Sequence, residues 1–242
     1  LVVVSGYVSD NYNRKIIFSL CMLVESFLAF LFVAINFIEN IEINLLFILL
    51  IGIGIVRAFF GPAAAALLPN IVTKKDLPDA VALSAVAWQS GTIFGPIFGG
   101  LLYGFSVFAG YLFAAVGLLL ASILVFLIPY NYKTNIKKSM SFENLTGGFS
   151  YVWNKKILLG VISLDLFAVL MAGAVALMPV YARDILETGP FTLGLLRSSP
   201  GIGAIIVAAG LSFYTLKSAG KVMLYAVALF GLSTILFGIS NN

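Results

Sequence analysis

Seven stretches of this chain are long and apolar enough to cross a bilayer, and little sequence remains between them. They fall at roughly 16–37, 45–68, 80–104, 108–129, 157–181, 191–215 and 221–239. A hydrocarbon core about 30 Å thick takes about 20 helical residues to span. Lipid offers the backbone no hydrogen-bond partner, so a spanning segment must be a helix or part of a closed barrel. Barrel strands alternate apolar and polar residues, whereas Leu45-Leu46-Phe47-Ile48-Leu49-Leu50-Ile51 does not alternate. Only 10% of residues are charged and 61% are hydrophobic, against about 25% charged in an ordinary soluble domain. The expected fold class is therefore all-α, a polytopic membrane helix bundle. The opening Leu1-Val2-Val3-Val4 reads as the end of one further span, over residues 1–5. With no initiator Met and an apolar run just before Ser240-Asn241-Asn242, the chain is expected to be an internal piece of a longer bundle.

Charge orients the spans. Counting loops from the first partial span, the odd loops carry Arg14 and Lys15, then Lys74 and Lys75, then Lys133, Lys137, Lys138, Lys155 and Lys156, then Lys217 and Lys221. The even loops carry Glu39 and Glu42, then no charge, then Arg183 with Asp184 and Glu187. Cytoplasmic loops are enriched in Lys and Arg, so the odd loops are placed in the cytoplasm. The same distribution explains the net charge of +4 without nucleic acid as a partner.

Several chemistries are disfavoured. The chain has one Cys, Cys21, and no His, so an intramolecular disulfide and the commonest metal ligand are both missing. Neither a Gly-rich ATP-binding loop nor a Ser-His or Cys-His pair occurs. No cofactor and no metal are expected, and an enzyme is the weaker reading. Proton chemistry would fall to carboxylates.

The ionisable residues inside the apolar segments are the first candidates. Arg57 lies mid-segment, four residues before Gly61, and a charge at that depth must face the bundle interior or a wet cavity. Glu25 sits about nine residues in from the cytoplasmic end of its own span, about 14 Å at the helical rise. Arg57 is ten or eleven residues from its cytoplasmic end, so the two depths match and a Glu25–Arg57 pair is expected. Asp165 is a second buried-acid candidate, about a third of the way into its span. A purely structural role stays open for each.

Three sequence patterns concern motion. Gly6-Tyr7-Val8-Ser9-Asp10-Asn11-Tyr12-Asn13-Arg14-Lys15 is expected at a cytoplasmic turn. Gly6 would permit close packing there, Asp10 would lie near the start of the next helix, and Arg14 and Lys15 would supply cations. The group reads as a charge cluster that locks one conformation, or as a plain loop with inside-positive charge. Gly91, Gly95 and Gly99 recur every four residues, making one smooth face on which membrane helices pack closely. Pro96 frees the carbonyl of Thr92 and bends the helix; with Gly100 the set reads as a hinge or as generic small-residue packing. Arg197, near the extracytoplasmic end of its span, reads as a snorkelling cation, with Pro200 and Gly201 able to bend the helix.

The spacing Gly6-x-x-x-Asp10-x-x-x-Arg14-Lys15 resembles the signature loop between the second and third helices of the major facilitator superfamily. Here Asn11 stands where that family often has Arg, and Asn13 where it often has Gly. Arg57-x-x-x-Gly61 is similar to its fourth-helix motif, in which the arginine is linked to proton coupling. Gly91-x-x-x-Gly95-Pro96-x-x-Gly99-Gly100 matches the fifth-helix antiporter motif of its drug and metabolite exporters. The segments Asp165–Leu170, Met178–Asp184, Gly194–Arg197 and Pro200-Gly201 resemble the branch containing enterobactin exporters and macrolide efflux proteins.

The resemblance implies a major facilitator bundle, incomplete here, running from the end of the second helix to the ninth of twelve. Residues 1–130 would belong to the N-terminal half, 131–156 to a cytoplasmic linker, and 157–242 to the C-terminal half. In the linker, Phe142, Leu145, Phe149, Val152 and Trp153 lie close to one helical face, as in an interfacial helix or a linker helix packed on the bundle. The implied activity is proton-coupled export of small amphipathic molecules, siderophore or drug, with substrate near the midplane. The partners would be that substrate, protons and the bilayer, and the protein would be monomeric when complete, in the inner (plasma) membrane. Import of a metabolite, lipid flipping, or a piece without activity of its own are the alternatives.

Overall fold

The computed structural model describes residues 2–38, 41–129, 151–171, 173–212 and 219–240. Regular structure among them is entirely helical. In chain order the helices are α1 (Val2–Asn11), α2 (Arg14–Ile35), α3 (Ile43–Ile71), α4 (Leu77–Phe105), α5 (Val107–Leu127), α6 (Lys156–Met171) and α7 (Ala174–Val180). A π-helix follows over Tyr181–Ile185, then α8 (Pro190–Ser212) and α9 (Ala219–Ile239). Seven spans among the described residues are long and apolar enough to cross a membrane, and they match the seven apolar segments of the sequence.

Two boundaries differ from expectation. The first motif holds the turn between α1 and α2, but the turn is only Tyr12 and Asn13: Gly6 and Asp10 lie within α1, which continues to Asn11. Asp10 thus belongs to the last turn of α1, not to the start of α2. The start of α2 is set by Asn13, whose side-chain oxygen accepts from the backbone N–H of Lys15 at 3.1 Å and of Ile16 at 3.4 Å. That is an N-cap, satisfying donors that a helix start leaves without partners. The second difference is the expected helix over 157–181. It is α6, then α7 with Gly173 at its N-cap, then the π-helix. Glycine is the poorest helix former after proline, and Gly173 falls at this break. Residues 130–150 lie outside the described residues, and with them most of the expected linker, including Phe142, Leu145 and Phe149.

The chain forms two compact units. One contains the described residues of Leu1–Ala87 and Phe105–Leu145, the other those of Trp88–Gly104 and Thr146–Asn242. In the first unit α2 packs against both α3 and α5, and α1 packs against α3. Serine lets α2 and α5 approach. Ser19 Oγ donates to Ser122 O at 3.0 Å, Ser122 Oγ donates to Ser19 O at 2.9 Å, and Ser26 Oγ donates to Ala115 O at 2.7 Å. Each hydroxyl is buried and gives its proton to a carbonyl of the other helix, which apolar surroundings require. Phe18 on Phe60 (4.9 Å between centroids) and Phe32 on Tyr111 (5.4 Å) fill the flanks.

In the second unit the later part of α4 crosses α8. Gly100 faces Gly194 and Pro190: a Cβ at Gly100 would lie 2.5 Å from Pro190 O and 3.2 Å from Gly194 Cα. Ile93 fills the space over Gly201, and Gln89 Nε2 donates to Gly201 O at 2.9 Å. Within α8, Pro200 cannot bond the carbonyl of Leu196, and Ser199 Oγ donates to that carbonyl instead at 2.8 Å. The π-helix is pinned to α9: the Tyr181 hydroxyl donates to Ser240 O, and its ring lies 4.5 Å from that of Phe237. The turn after it closes with Glu187 at φ 49° and Thr188 bonded to Ala182 O through both N (2.9 Å) and Oγ1 (3.1 Å).

Candidate functional site

Glu25 and Arg57 meet. Glu25 is near the middle of α2 and Arg57 is the central residue of α3, about 21 Å from either end at the helical rise. Because the two helices pack side by side, Arg57 Nε reaches Glu25 Oε1 at 3.0 Å. The Glu25 side chain is only 12% exposed, whereas that of Arg57 is 72% exposed. The acid is held in the seam between helices, while much of the guanidinium stays uncovered. An unpaired charge at the centre of a membrane helix costs about 2.5–3.5 kcal/mol on insertion scales, so each partner offsets the cost of the other.

The other candidates are placed as follows. Arg14 Nε donates to Ser9 O at 3.1 Å, tying α2 back to α1. Lys15 Nζ donates to Phe126 O at 2.8 Å and Ile128 O at 3.0 Å, and lies 5.1 Å from the centre of the Phe126 ring. It sits at the C-terminal end of α5, where carbonyls lack helical partners and the dipole favours a cation. A Cβ at Gly6 would meet nothing within 4 Å among the described residues. The side chain of Asp10 is outside the described residues. Asp165 is exposed on α6 and forms no ion pair with a described residue.

Of the hinge set, Gly100 is the glycine that meets another helix among the described residues. A Cβ at Gly91, Gly95 or Gly99 would meet nothing within 4 Å among the described residues. Pro96 lies against the α8 crossing, its carbonyl close to Gly194.

The second unit also holds a cavity of about 560 Å³. Pro96, Gly99, Gly100 and Tyr103 of α4 form one wall, and Pro179, Ala182 and Arg183 another. Thr188, Gly189 and the first two turns of α8, to Arg197, complete it. Arg183 is held by its neighbour Asp184, with Nε–Oδ1 at 2.6 Å and Nη2–Oδ2 at 3.3 Å. These residues lie at the ends of α4 and α8 away from the basic loops.

Sequence reasoning missed the residues that join helices. Ser19 and Ser26 are seven apart, as are Ala115 and Ser122, Ile93 and Gly100, and Gly194 and Gly201. Seven residues make two turns in helices that pack at a shallow left-handed crossing, and that spacing was the available signal. An Asn just before an apolar run was the signal for the Asn13 cap. Nothing local marks Lys15 as the partner of α5 carbonyls more than a hundred residues away.

These features define a polytopic helical membrane protein with a paired charge at mid-span. The family model of the Major Facilitator Superfamily matches residues 1–241, and the chain belongs to that family, one of transporters and not of enzymes. It is 30% identical over 214 residues to the multidrug resistance protein MdtG of Proteus mirabilis, covering 84% of this chain and 50% of the relative. Over 200 residues it is 25% identical to a bicyclomycin resistance protein homolog of Haemophilus influenzae, covering 77% and 48% respectively. An uncharacterized MFS-type transporter of Bacillus subtilis, YfmI, is 22% identical over 217 residues, covering 84% and 52%. The chain spans about half the length of these curated relatives. The superfamily expectation is thus met. The two relatives with functional names are named for bicyclomycin and multidrug resistance, not for enterobactin or macrolides.

Proposed function

We propose that the chain is part of a proton-coupled exporter of small amphipathic molecules, drug or siderophore in type, in the inner (plasma) membrane. Residues 1–130 belong to its N-terminal half, 131–156 to the linker and 157–242 to the C-terminal half, and the complete transporter acts as a monomer. The observation that carries this reading is the Glu25–Arg57 pair, 3.0 Å apart at mid-span, in a chain of a transporter family with resistance-named relatives. A proton arriving at Glu25 removes the negative charge and frees Arg57. The uncompensated guanidinium then favours a different helix arrangement, and proton release restores the pair. Asp165 is a second proton-binding candidate. Arg14, Lys15 and Asp10 stabilise one cytoplasmic arrangement, and the segment from Gly91 to Gly100 absorbs the bending.

The test uses the full-length transporter in proteoliposomes, with bicyclomycin as substrate and a lumenal pH dye as readout. Added substrate should move protons in the opposite direction in the wild type. Glu25→Arg and Arg57→Glu alone should abolish this movement, and the two together should restore part of it. Equal inactivity of the double and single variants, with all three folded, refutes the pairing as the coupling element. Substrate uptake in the same direction as protons would instead establish import.

A further inference from the structure

We propose that the cavity in the second unit is a binding site for an organic anion with an aromatic or otherwise apolar body, its negative charge received by Arg197. Its volume of about 560 Å³ lies in the range of small-molecule sites, roughly 300–1,000 Å³. Its walls supply what such a ligand needs. Pro96, Tyr103, Pro179 and Leu193 offer apolar surface, and glycines bring backbone close to the lumen. Its charged groups are few and of one sign: two guanidinium groups, from Arg183 and Arg197, line it, beside the hydroxyl-bearing Tyr103 and Thr188.

The two arginines are not equivalent. Both hydrogen bonds of Arg183 go to Asp184, so its charge is already compensated. Arg197 forms no ion pair with a described residue, although it lies seven residues into α8, about 10 Å along the axis. About two turns from the helix start and exposed, Arg197 has the reach to snorkel to the interface, and its charge is then open to an anion in the cavity. A carboxylate or sulfonate is its natural complement, because a guanidinium binds such groups through two parallel hydrogen bonds. The start of α8 at Pro190, with Gly189 just before it, also lines the cavity, and a helix start favours negative charge. The site therefore selects anions at the end of α8 farther from the basic loops. It depends neither on Glu25 nor on proton coupling.

Equilibrium dialysis of radiolabelled 2-naphthoate against the detergent-purified full-length transporter tests this, with neutral 2-naphthylmethanol as the matched control. The wild type should bind naphthoate more tightly than the alcohol. Arg197→Gln should weaken naphthoate at least about tenfold, the scale of a lost charged hydrogen bond, and leave the alcohol unchanged. Arg197→Lys should retain part of the preference, and Arg183→Gln should change it less than Arg197→Gln. Absence of naphthoate binding by the wild type overturns the proposal. So does unchanged naphthoate binding by Arg197→Gln, or parallel loss of acid and alcohol. Since no gradient is applied, failure of proton exchange would leave this result untouched.

Discussion

Adjacent glycines in α4 should respond oppositely to the same substitution. A methyl group at Gly100 would lie 2.5 Å from Pro190 O and 3.2 Å from Gly194 Cα. Both are backbone atoms of α8, so no side chain can rotate away. An ordinary carbon–oxygen contact is about 3.3–3.6 Å, and α8 must therefore move by about 1 Å. Overpacking of that kind costs about 1–3 kcal/mol. A methyl group at Gly99 meets nothing within 4 Å, and replacing a mid-helix glycine by alanine gains about 0.5–1 kcal/mol. Gly100→Ala should thus be less stable than Gly99→Ala by about 1.5–4 kcal/mol, combining the two ranges. Unfolding of the full-length transporter in a detergent–SDS titration, followed by circular dichroism, measures this difference. Gly194→Ala should resemble Gly100→Ala, because its methyl group would meet Pro96 O across the same crossing. If Gly100→Ala proves as stable as Gly99→Ala, the close crossing of α4 and α8 is wrong.

Two further outcomes are expected from the same titration. Ser26→Ala removes one hydrogen bond to Ala115 O, of 2.7 Å, and should cost about 0.6 kcal/mol, the average for interhelical bonds in a membrane; a neutral effect would show that α2 and α5 are not joined there. Glu187→Gly should stabilise by up to about 1 kcal/mol, because Glu187 holds φ 49° and glycine adopts positive φ without the steric penalty of a Cβ. Destabilisation would show that the Glu187 side chain matters more than the backbone of the turn.

The Glu25–Arg57 contact was legible because it follows from depth. Charges in apolar segments are rare, so Glu25 and Arg57 stood out, and counting residues from the cytoplasmic ends put them at one level. Their contact needed only that consecutive helices run antiparallel and pack side by side. The glycine face was less legible. Spacing by four marks a surface able to pack closely, but it names no partner. The structure instead places Gly100, with Pro96, Ile93 and Gln89, against α8. The cavity beside that crossing was not foreseen, since its walls come from residues as distant in sequence as Pro96 and Arg197.

The sequence alone indicated that the chain is helical, where the seven apolar spans of the described residues fall and which charges lie midway along them. Those properties follow from transfer of each segment from water to lipid, a local quantity that sums along the chain. Tertiary structure decided which faces meet. Inside a bilayer every helix surface is apolar, so hydrophobicity cannot choose between them. The choice falls to close fit and hydrogen bonds: Ser19 with Ser122, Lys15 on the end of α5, Gly100 against Gly194. These depend on pairs of residues, and the pairs exist only once the helices are side by side.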